Sequence, residues 1–218
     1  MKFKAVLFDL DGTLADTAPD LGAALNRLRA EESLPPIAPD TLRPHTSAGT
    51  RGMLRVGFGL SPGELDYQAL AERFLAHYMR CLCIDTKVFP ELGAVLDALD
   101  AQGIQWGVVT NKPRRFTEPL MDALELAPRC ACIVSGDSTP RPKPAPDSLL
   151  LAASTLDIAA GDIVYVGDDL RDIQAGQAAS MHTIAARWGY LGVDTPIENW
   201  QADWIADRPS ALQSIFEL

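Results

Sequence analysis

The sequence predicts an α/β protein: a Rossmann-like, doubly wound parallel sheet interrupted by an inserted helical domain. Three observations carry this. Short, wholly apolar runs alternate with stretches of helical periodicity, the pattern of a sheet buried on both faces with crossover helices between its strands. Acids or hydroxyls follow these runs directly, where such sheets place their ligands. Residues 16–84 have helical spacing and no buried strand.

In chain order, Lys4 to Phe8 (KAVLF) is the first strand. In residues 16–84, Asp20 to Arg29, Thr50 to Gly57 and Asp66 to Arg80 space their apolar residues three and four apart. Leu34-Pro35-Pro36-Ile37 and Ser61-Pro62-Gly63 break the chain between these helices. Further strands are predicted at Ile104 to Thr110, Ile133-Val134, Ile163 to Val166, His182 to Ala186 and Trp204-Ile205. Helices at Pro90 to Gln102, Arg115 to Leu126 and Pro146 to Leu156 make the crossovers. The chain therefore divides into a sheet domain of residues 1–15 and 85–218 and a helical domain of residues 16–84. Short hinges near Asp16 and Phe89 join them.

Composition narrows the partners. Among 218 residues, 29 acids against 19 basic residues give a net charge of −10, and such a surface repels nucleic-acid backbones and anionic lipid. The densest basic pair, Arg114-Arg115, is short and lies among acids. No apolar run is long enough to span a bilayer, and the run from Met1 to Phe8 is too short for a signal peptide, so a cytoplasmic protein is expected. The four cysteines form two C-x-C pairs, Cys81/Cys83 and Cys130/Cys132, tighter than the usual spacing of a four-thiolate zinc site. They read as buried reduced thiols.

Chemistry is concentrated at the strand ends. Asp9-Leu10-Asp11-Gly12-Thr13 follows the first strand, Thr110-Asn111 the second, and Gly167-Asp168-Asp169 the run IVYV, with Asp172 one helical turn on. Lys143 sits in a loop stiffened by prolines. The alternation of side chains puts Asp9 and Asp11 on one side, and Gly12 permits a tight exit. With Asp168 beside them, three acids crowd one crevice, which is unfavourable unless a cation joins them. An oxygen-only set of this kind suits Mg²⁺ shared with a substrate phosphate. Thr110 and Lys143 supply a hydroxyl and a positive charge for phosphate oxygens. A single D-x-D is also what a turn presents; four elements in order, each at a strand end, outline a phosphoryl-transfer site.

These residues resemble the haloacid dehalogenase superfamily, with its D-x-D-G-T, strand-end Thr, loop Lys and G-D-D-x-x-x-D motifs, over nearly the whole chain. The resemblance implies Asp9 as nucleophile, Asp11 as general acid and base, and Thr110, Asn111 and Lys143 as phosphate-binding groups. It further implies Mg²⁺ on the Asp9 carboxylate, the Asp11 main-chain carbonyl and Asp168, with Asp169 and Asp172 one step removed. The helical insert is similar to the family's cap, and its placement resembles the phosphoglycolate phosphatase branch. Leu34 to Ile37, Thr110 to Phe116 and Gly167 to Ile173 most resemble N-acetylmuramic acid 6-phosphate phosphatases.

The expected partner is a small phosphorylated metabolite, either 2-phosphoglycolate or N-acetylmuramic acid 6-phosphate, handled by a monomer or homodimer. Cap residues choose between such substrates, and the candidate segment is His45 to Arg51. Ser47 and Gly49 let backbone amides approach a ligand, and Arg51 pairs with a substrate carboxylate; alternatively Ser47 to Thr50 cap the next helix and Arg51 is solvated. The branch pattern has G-x-G where Ser47-Ala48-Gly49 stands here. His77, His182, Trp188, Trp200 and Trp204 read as packing or surface residues. Two other classes fit parts of the pattern. A receiver-type signalling module places its phospho-acceptor on a later strand than its acid pair and has no such insert. A phosphomutase of the same superfamily would use the same two acids, although Thr13 favours a phosphatase.

Overall fold

A computed structural model describes residues 3–192 and 195–218. Met1 and Lys2, the start of the N-terminal run read above, lie outside the described residues. Among the described residues six strands form one parallel sheet: β1 (Ala5–Phe8), β4 (Gln105–Val109), β5 (Cys132–Val134), β6 (Ile163–Gly167), β7 (His182–Ala186) and β8 (Trp204–Ala206). Their spatial order is β5-β4-β1-β6-β7-β8. The chain thus winds outward from β1 in both directions, and β1 is the topological switch point where such sheets open a crevice.

Burial explains the composition of the strands. β1 and β6 are buried along their whole length, which is why they read as continuous apolar runs rather than alternating ones. On one face Val6, Phe8, Val108 and Val166 pack under α5 (Leu92–Ala101) and α6 (Arg114–Ala123). On the other Ala5, Leu7, Val109 and Tyr165 pack under α7 (Asp147–Leu156) and α8 (Leu170–Ala178). The first register pairs Ala5 with Gln105 and with Ile163, so the carboxyl ends of β1, β4 and β6 lie level.

Between β1 and α5 the chain makes a helical segment with its own cluster of Leu21, Leu25, Leu28, Met53, Leu54 and Phe74. It contains α1 (Ala18–Glu31), the short α2 (Pro39–Leu42), α3 (Gly49–Phe58) and α4 (Tyr67–Arg80). Two strands bracket it: β2 (Ala15–Asp16) pairs antiparallel with β3 (Lys87–Val88), Ala15 opposite Val88 and Asp16 opposite Lys87. Where single hinges were expected, the two crossings form this ribbon. Asp20, buried at the start of α1, accepts hydrogen bonds from the backbone of Ile84, Asp85 and Thr86 and fixes the returning chain.

The structure adds two helices to the sequence reading and defines one further segment. Asp169 caps α8 and Asp172 returns the bond to the Asp169 amide, a helix that the short polar stretch after IVYV concealed. The C-terminal α9 (Ala211–Phe216) was also not foreseen. The candidate segment His45 to Arg51 begins in a 3-10 turn, Arg43–Ala48, that runs directly into α3. The cysteines are all free; Cys81 is buried in the helical segment and Cys132 within β5, whereas Cys83 and Cys130, expected to be buried, are only half-buried. His77 pairs with Glu31, and His182 opens β7 with its ring edge-on to Phe3.

Candidate active site

The crevice at the carboxyl ends of β1, β4 and β6 is a cavity of about 370 Å³ lined by Asp9, Asp11, Thr110, Asn111 and Lys143 from below. Ser47, Gly49 and Arg51 line it from the helical segment, with Tyr67, Phe74 and Tyr78 forming an aromatic wall. Residues that are far apart in sequence therefore share one chamber.

Asp9 continues β1, its amide bonded to the Val166 carbonyl at 2.9 Å. Carboxylate oxygens of Asp9, Asp168 and Asp172 lie within 4.8 Å of one another. Asp172, set one step away by resemblance, thus stands in the acid cluster itself. The Asp11 carboxylate instead turns aside: its Oδ1 accepts from Thr17 Oγ1 at 2.6 Å and from Lys112 Nζ at 2.8 Å. Asp168 is fully buried and accepts from Thr13 Oγ1 and the Tyr190 amide, both at 2.8 Å. Burial, with the charges of Asp9 and Asp172 behind it, pushes the Asp168 carboxyl well above the usual range. Burial also pushes Asp172 up to about 7, against the pull of Lys143.

Lys143 Nζ lies 2.6 Å from Asp172 and 3.0 Å from Asp9 Oδ1. The second contact is a charge contact without hydrogen-bond alignment, which leaves the buried Asp9 Oδ1 with no aligned donor. Burial works against the ammonium, but the two carboxylates outweigh it and hold its pKa raised. Asn111 does not face the cavity as a free donor: its side chain gives a hydrogen bond to the Lys143 carbonyl and takes one from the Lys143 amide, clamping that loop. The Thr110 hydroxyl accepts the Lys112 amide at 3.2 Å.

Three buried carboxylates, one with an oxygen lacking an aligned donor and two pushed towards protonation, form an all-oxygen set that fits Mg²⁺. Asp9 and Asp168 would hold it with the Asp11 main-chain carbonyl that the resemblance implies, and Asp172 stands close enough to join them.

On the opposite wall, Ala48 is the N-cap of α3 and no side chain caps that helix, so Ser47 and Thr50 do not play the capping role. Ser47 instead reaches down: its hydroxyl is 3.5 Å from Asp168 Oδ2 and its carbonyl accepts from Arg171 at 2.8 Å. Gly49 has φ +56°, a conformation glycine tolerates best. Three participants were not foreseen as site residues: Lys112, Arg171 and Tyr190. The signal for Lys112 was available, since it lies two residues beyond Thr110 as the chain leaves a strand. Nothing in the local sequence tied Arg171 or Tyr190 to partners more than a hundred residues away.

Fold and site together define a Rossmann-like α/β protein with an acid-lined crevice at its switch point, roofed by an inserted helical segment. The chain belongs to the haloacid dehalogenase-like hydrolase family, whose model matches residues 6–186. A relative from Pseudomonas putida named N-acetylmuramic acid 6-phosphate phosphatase is 39% identical over 217 residues, covering 100% of this chain and 97% of that protein. Another from Xanthomonas campestris pv. campestris, named phosphoglycolate phosphatase, is 43% identical over 217 residues, covering 97% of this chain and 96% of that protein. A crystal structure from Haemophilus somnus, described as a predicted phosphoglycolate phosphatase, superposes with a TM-score of 0.87 at 26% identity over 99% of both chains. No helix among the described residues is long and apolar enough to cross a membrane.

Proposed function

We propose that this chain is a Mg²⁺-dependent phosphatase that hydrolyses a small phosphate monoester through an aspartyl-phosphate on Asp9. A hydrolase of phosphoric monoesters is what its family and its full-length phosphatase relatives indicate. The observation that carries the mechanism is Asp9 itself: a buried carboxylate at the switch point, with one oxygen lacking an aligned donor, at the floor of the shared chamber.

In the first half-reaction an Asp9 oxygen forms a bond to phosphorus as the phosphorus–oxygen bond to the leaving group breaks, and Asp11 gives the departing oxygen its proton so that it leaves as the alcohol. In the second, Asp11 takes a proton from the attacking water, inorganic phosphate departs and the Asp9 carboxylate is restored. Lys143 sits where it offsets charge on both Asp9 and the phosphoryl oxygens. When bound, Mg²⁺ supplies further neutralisation between the anionic nucleophile and a phosphate dianion.

The chamber favours a substrate larger than a two-carbon acid. Its volume of about 370 Å³, the aromatic wall of Tyr67, Phe74 and Tyr78, and Arg51 suit a sugar ring carrying a carboxylate, as in N-acetylmuramic acid 6-phosphate. The similarity to the Xanthomonas phosphatase keeps 2-phosphoglycolate as the second reading.

Phosphate release from both esters and a panel of sugar phosphates, with Mg²⁺ or EDTA, tests this alongside Asp9→Asn. Metal-dependent turnover is expected, lost in the variant, with N-acetylmuramic acid 6-phosphate the better substrate. An isomerised ester with no phosphate released would instead mark a mutase.

A further inference from the structure

We infer that Lys112 is a positioning residue that determines which oxygen of Asp11 handles the proton. The inference rests on Asp11 being the acid and base. Lys112 Nζ and Thr17 Oγ1 both donate to Asp11 Oδ1, at 2.8 and 2.6 Å. A carboxylate oxygen has two in-plane lone-pair sites, so two donors fill it and leave no place there for a proton. No described residue donates to Oδ2. A proton carried by Asp11, which lines the chamber, therefore sits on Oδ2.

Lys112 is itself held firmly. Its amide donates to Thr110 Oγ1, and its carbonyl accepts from Thr117 Oγ1 at 3.0 Å and from the Gly136 amide at 2.8 Å. The side chain is only 6% exposed. Its ammonium faces the Tyr78 ring of α4 at 4.7 Å from the centroid, and that ring packs 5.5 Å from Phe116 of α6. The cation thus links the acid and base to a wall contributed by the helical segment. Seated between a carboxylate and an aromatic face, it has a fixed place that a solvated lysine lacks.

Leaving-group dependence tests this. An alkyl phosphate needs its departing oxygen protonated, whereas p-nitrophenyl phosphate does not. Lys112→Met should lower kcat on the alkyl ester about 30-fold and on p-nitrophenyl phosphate by less than about threefold, with KM little changed. Lys112→Gln carries the same expectation if the Met variant does not fold. Equal losses on both esters would mean a merely structural role and overturn the inference. A raised KM with unchanged kcat would also overturn it, because Lys112 would then bind substrate directly. Asp11→Ala separates the two levels of the argument. If it discriminates between the esters and the Lys112 variants do not, the positioning role alone fails; if it does not discriminate, the assignment of Asp11 fails as well.

Discussion

Lys143 and Asp172 form a buried ion pair at 2.6 Å, each side chain 2% exposed, and the same ammonium lies 3.0 Å from Asp9. One cation thus neutralises part of a cluster of acids that would otherwise repel. Removing one partner of a buried pair costs about 3–5 kcal/mol because the other is left uncompensated. Lys143→Met should therefore melt on the order of 10 °C lower and lose phosphate release by about a hundredfold or more. Thermal melting beside a phosphate assay checks both.

Gly12 stands against the same cluster from the other side. At φ +86°, a Cβ placed there would fall 2.2 Å from Asp168 Oδ2 and 2.8 Å from the Tyr190 ring. Strain and overlap together should make Gly12→Ala about 3 kcal/mol less stable, with activity lost as Asp168 is displaced. Urea unfolding of variant and parent measures the difference; a variant of parental stability would show that this turn relaxes freely.

Metal binding should be visible without turnover. At a hundredfold excess over Kd, Mg²⁺ should stabilise the protein by about 2.7 kcal/mol, raising the melting temperature on the order of 5–10 °C. Asp168→Asn should lose most of that rise. An equal rise in the variant would take Asp168 out of the metal set.

Asp20 makes a prediction about architecture. Its carboxylate accepts from the amides of Ile84, Asp85 and Thr86 and from Thr86 Oγ1 at 2.6 Å, while being only 1% exposed. Asp20→Ala strands several buried donors and should cost about 3 kcal/mol. Turnover at low temperature should stay near the parent value, because no reacting group is touched.

The thiols give a pH dependence. Burial pushes Cys130 up to about 12 and Cys132 up to about 11, from an ordinary value of 9.0. The folded chain therefore keeps protons that the unfolded chain releases above pH 9. The stability they contribute is complete below that pH and fades as pH rises towards 11–12. Urea midpoints from pH 8 to 10.5 should fall more steeply for the parent than for Cys130→Ala/Cys132→Ala. In the folded parent both thiols should react slowly with disulfide reagents at pH 8.

Local sequence determined much of this molecule. Strands buried on both faces must be apolar throughout, so KAVLF and IVYV declared themselves, and the acids that follow them marked the crevice. The helices of residues 16–84 were legible because each buries one stripe, a three-and-four spacing that needs no knowledge of partners. Tertiary structure alone decided where each charge points. Asp9 and Asp11 leave the strand on one side, yet Asp9 joins Asp168 and Asp172 while Asp11 turns to Lys112 and Thr17. Asn111 is spent on the Lys143 backbone, and Ser47 meets Arg171 from 124 positions away. Periodicity reports burial, which each residue carries in its own side chain. Pairing depends on distances that exist only once the sheet has brought the strand ends level and the ribbon of β2 and β3 has set the helical segment above them.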